Sequence, residues 1–231
     1  MTLPKPRKIN VERYIGGLSQ LKKTDNPIKL SANESALGPS PKAITAFEKD
    51  KDKIFKYPES DSTTLRDLIA KKFNIDPKRI ICGAGSDQIF DLTCKLFLEP
   101  GDEVIVTEFG FIMHRIYASL CQAKVVLAKE RNFKASVDEI LKKVTSKTKI
   151  VFVANPNNPT GTYLSKNEML NLRQKLKSNI LLVVDDAYFE FINNNDFTSG
   201  LELFKNKANV LITRTFSKIY EIGRASCRER V

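Results

Sequence analysis

"KIVFVANPNNPTG", Lys149–Gly161, decides the fold. Its opening run is apolar and rich in β-branched residues. It is too short for an ordinary buried helix, and it stops at a pair of Asn-Pro steps. That pattern reads as a strand buried on both faces, over 149–156, followed by a polar turn. Working outward, the same kind of run recurs as "RIICGAG" (79–85), "EVIVTEF" (103–109), "AKVVLAK" (123–129), "NILLVVDDAY" (179–188) and "NVLITRTFS" (209–217). Helix-period segments lie between them. "SDQIFDLTCKLFLEPG" follows the first strand, with Ser86 expected as N-cap and Pro100-Gly101 as stop. Ser136 with Glu139, and Ser165 with Glu168, read as capping boxes opening two further helices. Strands alternating with helices predict an α/β fold: a mostly parallel sheet covered by helices on both faces.

The 231 residues suffice for a large core, and a hydrophobic share of 42% is ordinary for a globular chain. No apolar run reaches the roughly 18 residues that a membrane helix needs, so no membrane partner is expected. "MTLPKPRKIN" is basic but has no apolar core of a secretory signal, which points to the cytoplasm. The formal net charge of +11 is spread over helical lysines without interleaved aromatics, and nucleic acid is not an expected partner. With one histidine, His114, and no CxxC pair, neither a metal site nor a Ser-His-Asp triad is expected.

Ligands of open α/β sheets bind beyond the carboxyl ends of the strands. The residues expected there are polar. Gly83–Asp87 turns into a helix and offers backbone N–H groups and the Ser86 hydroxyl to an anion. Phe109 follows the second strand, and Asn155–Gly161 the fourth. Asp185 follows "LLVV", where a carboxylate loses solvation and needs a positive partner. Ser217 and Lys218 follow the last strand. Each has a plainer reading as a cap, a turn, a core side chain or a surface lysine. Five such strand ends in one sheet describe a site.

"NPNNPTG", then "VDDAY", then "TFSK" resembles fold-type I pyridoxal-phosphate aminotransferases of the class I and II group, over almost the whole chain. "KLSANESALGPSP" and "YPESDSTTLRDLIAKKF" are similar to the histidinol-phosphate aminotransferase branch. The resemblance implies pyridoxal 5′-phosphate as cofactor. It makes Lys218 the Schiff-base lysine and proton carrier, and Asp185 the partner of the ring nitrogen. Asn158 and Tyr188 would bond the ring's phenolic oxygen, and Phe109 would stack on the ring. Gly85, Ser86 and Ser217 would hold the phosphate. Tyr57 would reach the phosphate of the neighbouring subunit of a homodimer, and Asn33 would lie near substrate. The implied reaction passes an amino group between an amino acid and a 2-oxo acid, with histidinol phosphate and 2-oxoglutarate as the expected pair. An aromatic or broad-range aminotransferase, or a threonine-phosphate decarboxylase-like enzyme, shares these residues. A non-catalytic anion or nucleic-acid binder is the reading from another class.

The pattern departs from the family after Tyr220. The arginine expected eight residues past the lysine is Ser226, and a C-terminal small domain with the substrate arginine is expected to be missing. Glu221–Val231 is encodable by a string that resembles a sequencing-library adapter, and a non-native tail is expected there. The division expected is an arm and first helix over 1–60, an incomplete cofactor-binding large domain over 61–220, and the tail over 221–231. The chain as written is expected to have little or no transaminase activity.

Overall fold

The computed structural model describes residues 9, 11, 14, 28, 30–35 and 37–222. Five strands form one wholly parallel sheet in the order β2-β1-β3-β4-β5. They are β1 Glu103–Thr107, β2 Lys124–Ala128, β3 Thr148–Ala154, β4 Leu181–Asp185 and β5 Val210–Thr213. The helices are α1 Pro41–Asp50, α2 Thr63–Phe73, α3 Gly85–Phe97, α4 Ile112–Leu120, α5 Val137–Lys142, α6 Lys166–Lys175 and α7 Gly200–Phe204. The expected α/β architecture is the one that forms.

Strand side chains alternate between two cores, as the period of two requires. Val104, Val106, Ile150, Phe152 and Val183 pack with Phe90 and Cys94 of α3 and Ala118 of α4. Ile105, Val151, Val153, Leu182 and Val184 pack on the other face with Ile140 of α5, Met169 and Leu172 of α6, and Phe204 of α7. Each fully buried aliphatic or aromatic side chain stabilises the fold by about 1.5–3 kcal/mol relative to exposure. Helices therefore cover both faces.

Local chemistry sets the helix starts. Ser165 accepts from the Glu168 N–H while the Glu168 carboxylate accepts from the Ser165 N–H, a complete capping box. At Ser136 only the forward half is present, Ser136 Oγ accepting from the Glu139 N–H.

Two expectations are corrected. The segment 79–85 is not a strand. Asp76 caps a single 3₁₀ turn over Pro77–Arg79, Ile80 is extended, and the residues up to Gly85 do not join the sheet. Ile81 is 57% exposed there. An apolar run marks a strand only where a neighbour completes its ladder. Nor is Ser86 the N-cap of α3. The cap lies two residues earlier, at Ala84, and Gly85 turns the chain into the helix with φ +73°, a conformation open to glycine. The Ala84 N–H is satisfied by Gln88 Oε1 at 2.6 Å, reaching back from the first turn.

Of the adapter-like tail only Glu221 and Ile222 are described. The Glu221 carboxylate accepts from the Ser35 N–H at 2.5 Å. Gly223 and the residues after it lie outside the described residues, as does most of the expected arm.

Candidate active site

Adjacent carboxylates at the end of β4 have opposite surroundings, because consecutive strand residues face opposite sides of the sheet. Asp185 lies on the α3–α4 side. It is 5% exposed. Its Oδ1 accepts from the Ala187 N–H and from Thr213 Oγ1, each at 3.2 Å, and its Oδ2 stands 3.7 Å from His114 Nε2. Thr213 is its in-register neighbour on β5. Asp186 lies on the α7 side, where Oδ2 accepts from the Leu201 N–H at 3.3 Å and Oδ1 is buried without a hydrogen-bond partner among the described residues. Burial pushes the Asp186 carboxyl up to about 8, against the pull of the Leu201 N–H and the Arg214 charge.

His114 is a site residue that sequence reasoning passed over. It is buried on α4, stacked on Phe152 with ring centroids 4.6 Å apart and edge-on to Phe90 at 4.6 Å. Three apolar rings fix its plane, and Nε2 is left aimed at Asp185. The usable sequence signal was its place on the apolar face of a helix that begins just past a strand end.

Gly85 and Ser86 open α3, one turn before Phe90. The Ala84 and Gly85 N–H groups there are bonded to Gln88 Oε1 at 2.6 Å and to the Gly83 carbonyl at 2.7 Å. The Ser217 hydroxyl pairs with Thr215 Oγ1 at 2.7 Å.

Lys218 and Tyr188 come together: Nζ lies 5.4 Å from the centroid of the Tyr188 ring. The Tyr188 hydroxyl accepts from Asn33 Nδ2 at 2.9 Å, which brings the expected substrate-side residue onto the same group across 155 residues of sequence.

The Phe109 ring is 43% exposed and packs against Phe133 at 5.4 Å. The ring that reaches the stack is Phe111, edge-on to His114 at 5.7 Å. Asn158 is half-buried, and the Asn158–Pro159 bond is cis, as is Asn155–Pro156. The hydrogen bonds of that turn run through its neighbours. Asn155 exchanges bonds with the Leu164 backbone, and Asn157 donates to Thr160 Oγ1 at 2.9 Å. Tyr57 is 99% exposed and lies apart from the other site residues.

The family model for aminotransferase class I and II matches residues 25–224. The chain belongs to the class I and II aminotransferases. Among members of this family, it is 58% identical over 228 residues to the histidinol-phosphate aminotransferase of Pelagibacter ubique, covering 99% of this chain and 63% of that protein. It is 46% identical over 225 residues to the one from Paramagnetospirillum magneticum, covering 96% of this chain and 62% of that protein. The crystal structure of histidinol-phosphate aminotransferase from Sinorhizobium meliloti in complex with pyridoxal-5′-phosphate superposes with a TM-score of 0.80 at 26% identity, over 84% of this chain and 53% of that one. The chain thus spans under two thirds of the length of these aminotransferases. Among the described residues no helix is long and apolar enough to cross a membrane.

Proposed function

We propose that this protein is a pyridoxal-phosphate-dependent transaminase acting on histidinol phosphate, with 2-oxoglutarate as amino acceptor. The observation that carries the reading is Lys218 Nζ facing the ring of Tyr188, a residue three positions after the buried Asp185 at the end of β4. Their chemistry fits that cofactor. A buried carboxylate suits a ring N–H, a lysine amine suits an aldehyde, and two hydroxyls with a helix start suit a phosphate. When bound, the cofactor supplies an aldehyde carbon and an electron-withdrawing ring.

The roles follow. Asp185, held by the Ala187 N–H and Thr213, presents its free oxygen to the ring nitrogen and keeps a proton there. The Lys218 amine would hold the aldehyde carbon and, once displaced from it by the substrate amine, would move a proton to and from the substrate Cα. Tyr188 and Asn158 orient the phenolic oxygen. Gly85, Ser86 and Ser217 hold the phosphate. Phe111, in place of Phe109, is the better-supported ring platform. Asn33 meets substrate through its bond to the Tyr188 hydroxyl.

Residues 61–220 form the cofactor-binding unit in this reading, and no role is assigned to 221–231. The protein works in the cytoplasm as a homodimer to which Tyr57 contributes. The exposure of Tyr57 at 99%, beside Ile54 at 82% and Phe55 at 78%, supports a second copy covering that stretch.

The test is direct. Protein mixed with pyridoxal phosphate is expected to gain the visible absorbance of the lysine-bound cofactor, and Lys218→Ala to lose it. In a protein completed to the length of its relatives, histidinol phosphate and 2-oxoglutarate are expected to yield glutamate faster than phenylalanine and 2-oxoglutarate do, while the 231-residue chain is expected to give little or no turnover. A colourless wild type would overturn the cofactor assignment, and a preference for phenylalanine the substrate assignment.

A further inference from the structure

Arg214 directly follows β5 and stands four residues before Lys218. A charged side chain at the end of an apolar strand ordinarily turns to solvent. This one turns inward and is 21% exposed. Its guanidinium carbon lies 3.6 Å from the Phe189 ring centroid and 4.4 Å from that of Phe73, so the cation is held between two rings. Nη2 pairs with Glu190 Oε1 at 3.2 Å, and Glu190 is itself 18% exposed. The Tyr220 hydroxyl also bonds the Glu190 carboxylate.

One planar cation therefore touches the end of α2 and the segment after Tyr188. Through Glu190 it also holds the residue two positions beyond Lys218. Lys218 is bracketed by Arg214 and Tyr220, both anchored on a carboxylate two residues from Tyr188. Tyr188 is the ring that Lys218 Nζ faces. The Arg214 charge also acts on buried Asp186 at the other end of that segment. Removing it leaves two buried carboxylates less compensated, which is costlier than losing a surface pair. Lysine is a poor substitute, because only a guanidinium stacks between rings while forking onto a carboxylate.

We propose that Arg214 is a positioning residue for Lys218: it joins the loop carrying Lys218 to the loop carrying Tyr188 and so fixes where the amine stands. The proposal rests on the transaminase reading, so its test has an arm that needs no cofactor. In cofactor-free protein, Arg214→Gln is expected to speed hydrogen exchange in 186–191 and 214–220 together by about tenfold, with β1 and β3 amides unchanged. With added pyridoxal phosphate, covalent capture by Lys218, trapped with borohydride and weighed by mass spectrometry, is expected to slow by about tenfold. Non-covalent affinity, measured in a Lys218→Ala background, is expected to change by less than about twofold. Glu190→Gln and Tyr220→Phe are expected to act in the same direction more weakly, and they carry the test if Arg214→Gln does not fold. Faster exchange in one loop alone or in neither, or an unchanged capture rate, overturns the proposal. A parent protein that captures no cofactor overturns the transaminase reading instead, and the exchange arm still decides whether Arg214 joins the loops.

Discussion

His114 Nε2 stands 3.7 Å from Asp185 Oδ2, with the two side chains only 3% and 7% exposed. The pair joins α4 to the end of β4 under the site. His114→Phe keeps the stack on Phe152 and removes the nitrogen that faces the carboxylate. The fold is expected to survive, with the melting temperature lowered by a few degrees at most. Cofactor affinity is expected to drop roughly fivefold to tenfold, the scale of one ordinary hydrogen bond. Equilibrium titration with pyridoxal phosphate measures it, and unchanged affinity would show that Asp185 does not depend on His114.

The two aromatic positions separate by the same titration. Phe111→Ala removes the ring beside His114 and is expected to weaken cofactor binding by roughly tenfold, in line with about 1–1.5 kcal/mol for an aromatic contact. Phe109→Ala, whose ring lies on Phe133, is expected to cost less than about twofold on the same scale. The reverse ranking would return the stacking role to Phe109.

Asp186 makes stability fall as pH rises. Its carboxyl is pushed up to about 8 from an ordinary 3.8 by burial. Between those values the folded chain keeps the proton that the unfolded chain has released, so this group's stabilisation is full below about 3.8 and lost by about 8. Asp186→Asn keeps an acceptor for the Leu201 N–H and cannot ionise. Melting temperatures of the two proteins at pH 5 and pH 8.5 are expected to differ in favour of the variant, and by more at the higher pH. A difference independent of pH would mean that the carboxyl titrates normally.

Gly200 opens α7 against β4. A Cβ there would lie 2.7 Å from Val184 Cγ1 and 3.1 Å from Val184 Cβ, both in the core. Gly200→Ala, usually mildly favourable within a helix, is expected to destabilise by about 1–3 kcal/mol through overpacking. Urea unfolding checks the sign, and a more stable variant would contradict the close approach of α7 to the sheet.

Much of the fold was legible because buried strands write themselves as β-branched runs. β1, β2, β4 and β5 fall inside their expected spans, β3 begins one residue before its own, and the Ser165–Glu168 box marks the start of α6 within one residue. The run over 79–85 misled because hydrophobicity does not reveal whether a ladder partner exists. Asp185 and Lys218 were legible from their strand ends. His114 and Arg214 were not, because their meaning lies in what they face: a carboxylate from another strand, and two rings from segments distant in sequence. For the ring platform the resemblance favours Phe109 and the contact with His114 favours Phe111, and the two alanine substitutions decide between them.

Asp185 pairs with Thr213 on the last rung of the β4–β5 ladder, and β5 is bordered on one side only among the described strands. The proposed acid stands at the end of β4 and the proposed amine five residues past the end of its neighbour β5, so the spacing between them depends on strand alignment. Slippage of β5 by one residue would turn Thr213 to the opposite face and remove a hydrogen bond from Asp185. Chain length between the strands is forgiving only in the exposed turn over 193–196, away from Tyr188, Glu190 and α7. Length within β5 is not. A single-residue deletion in Val210–Thr213 is expected to uncouple the two groups while leaving every proposed catalytic side chain in the sequence.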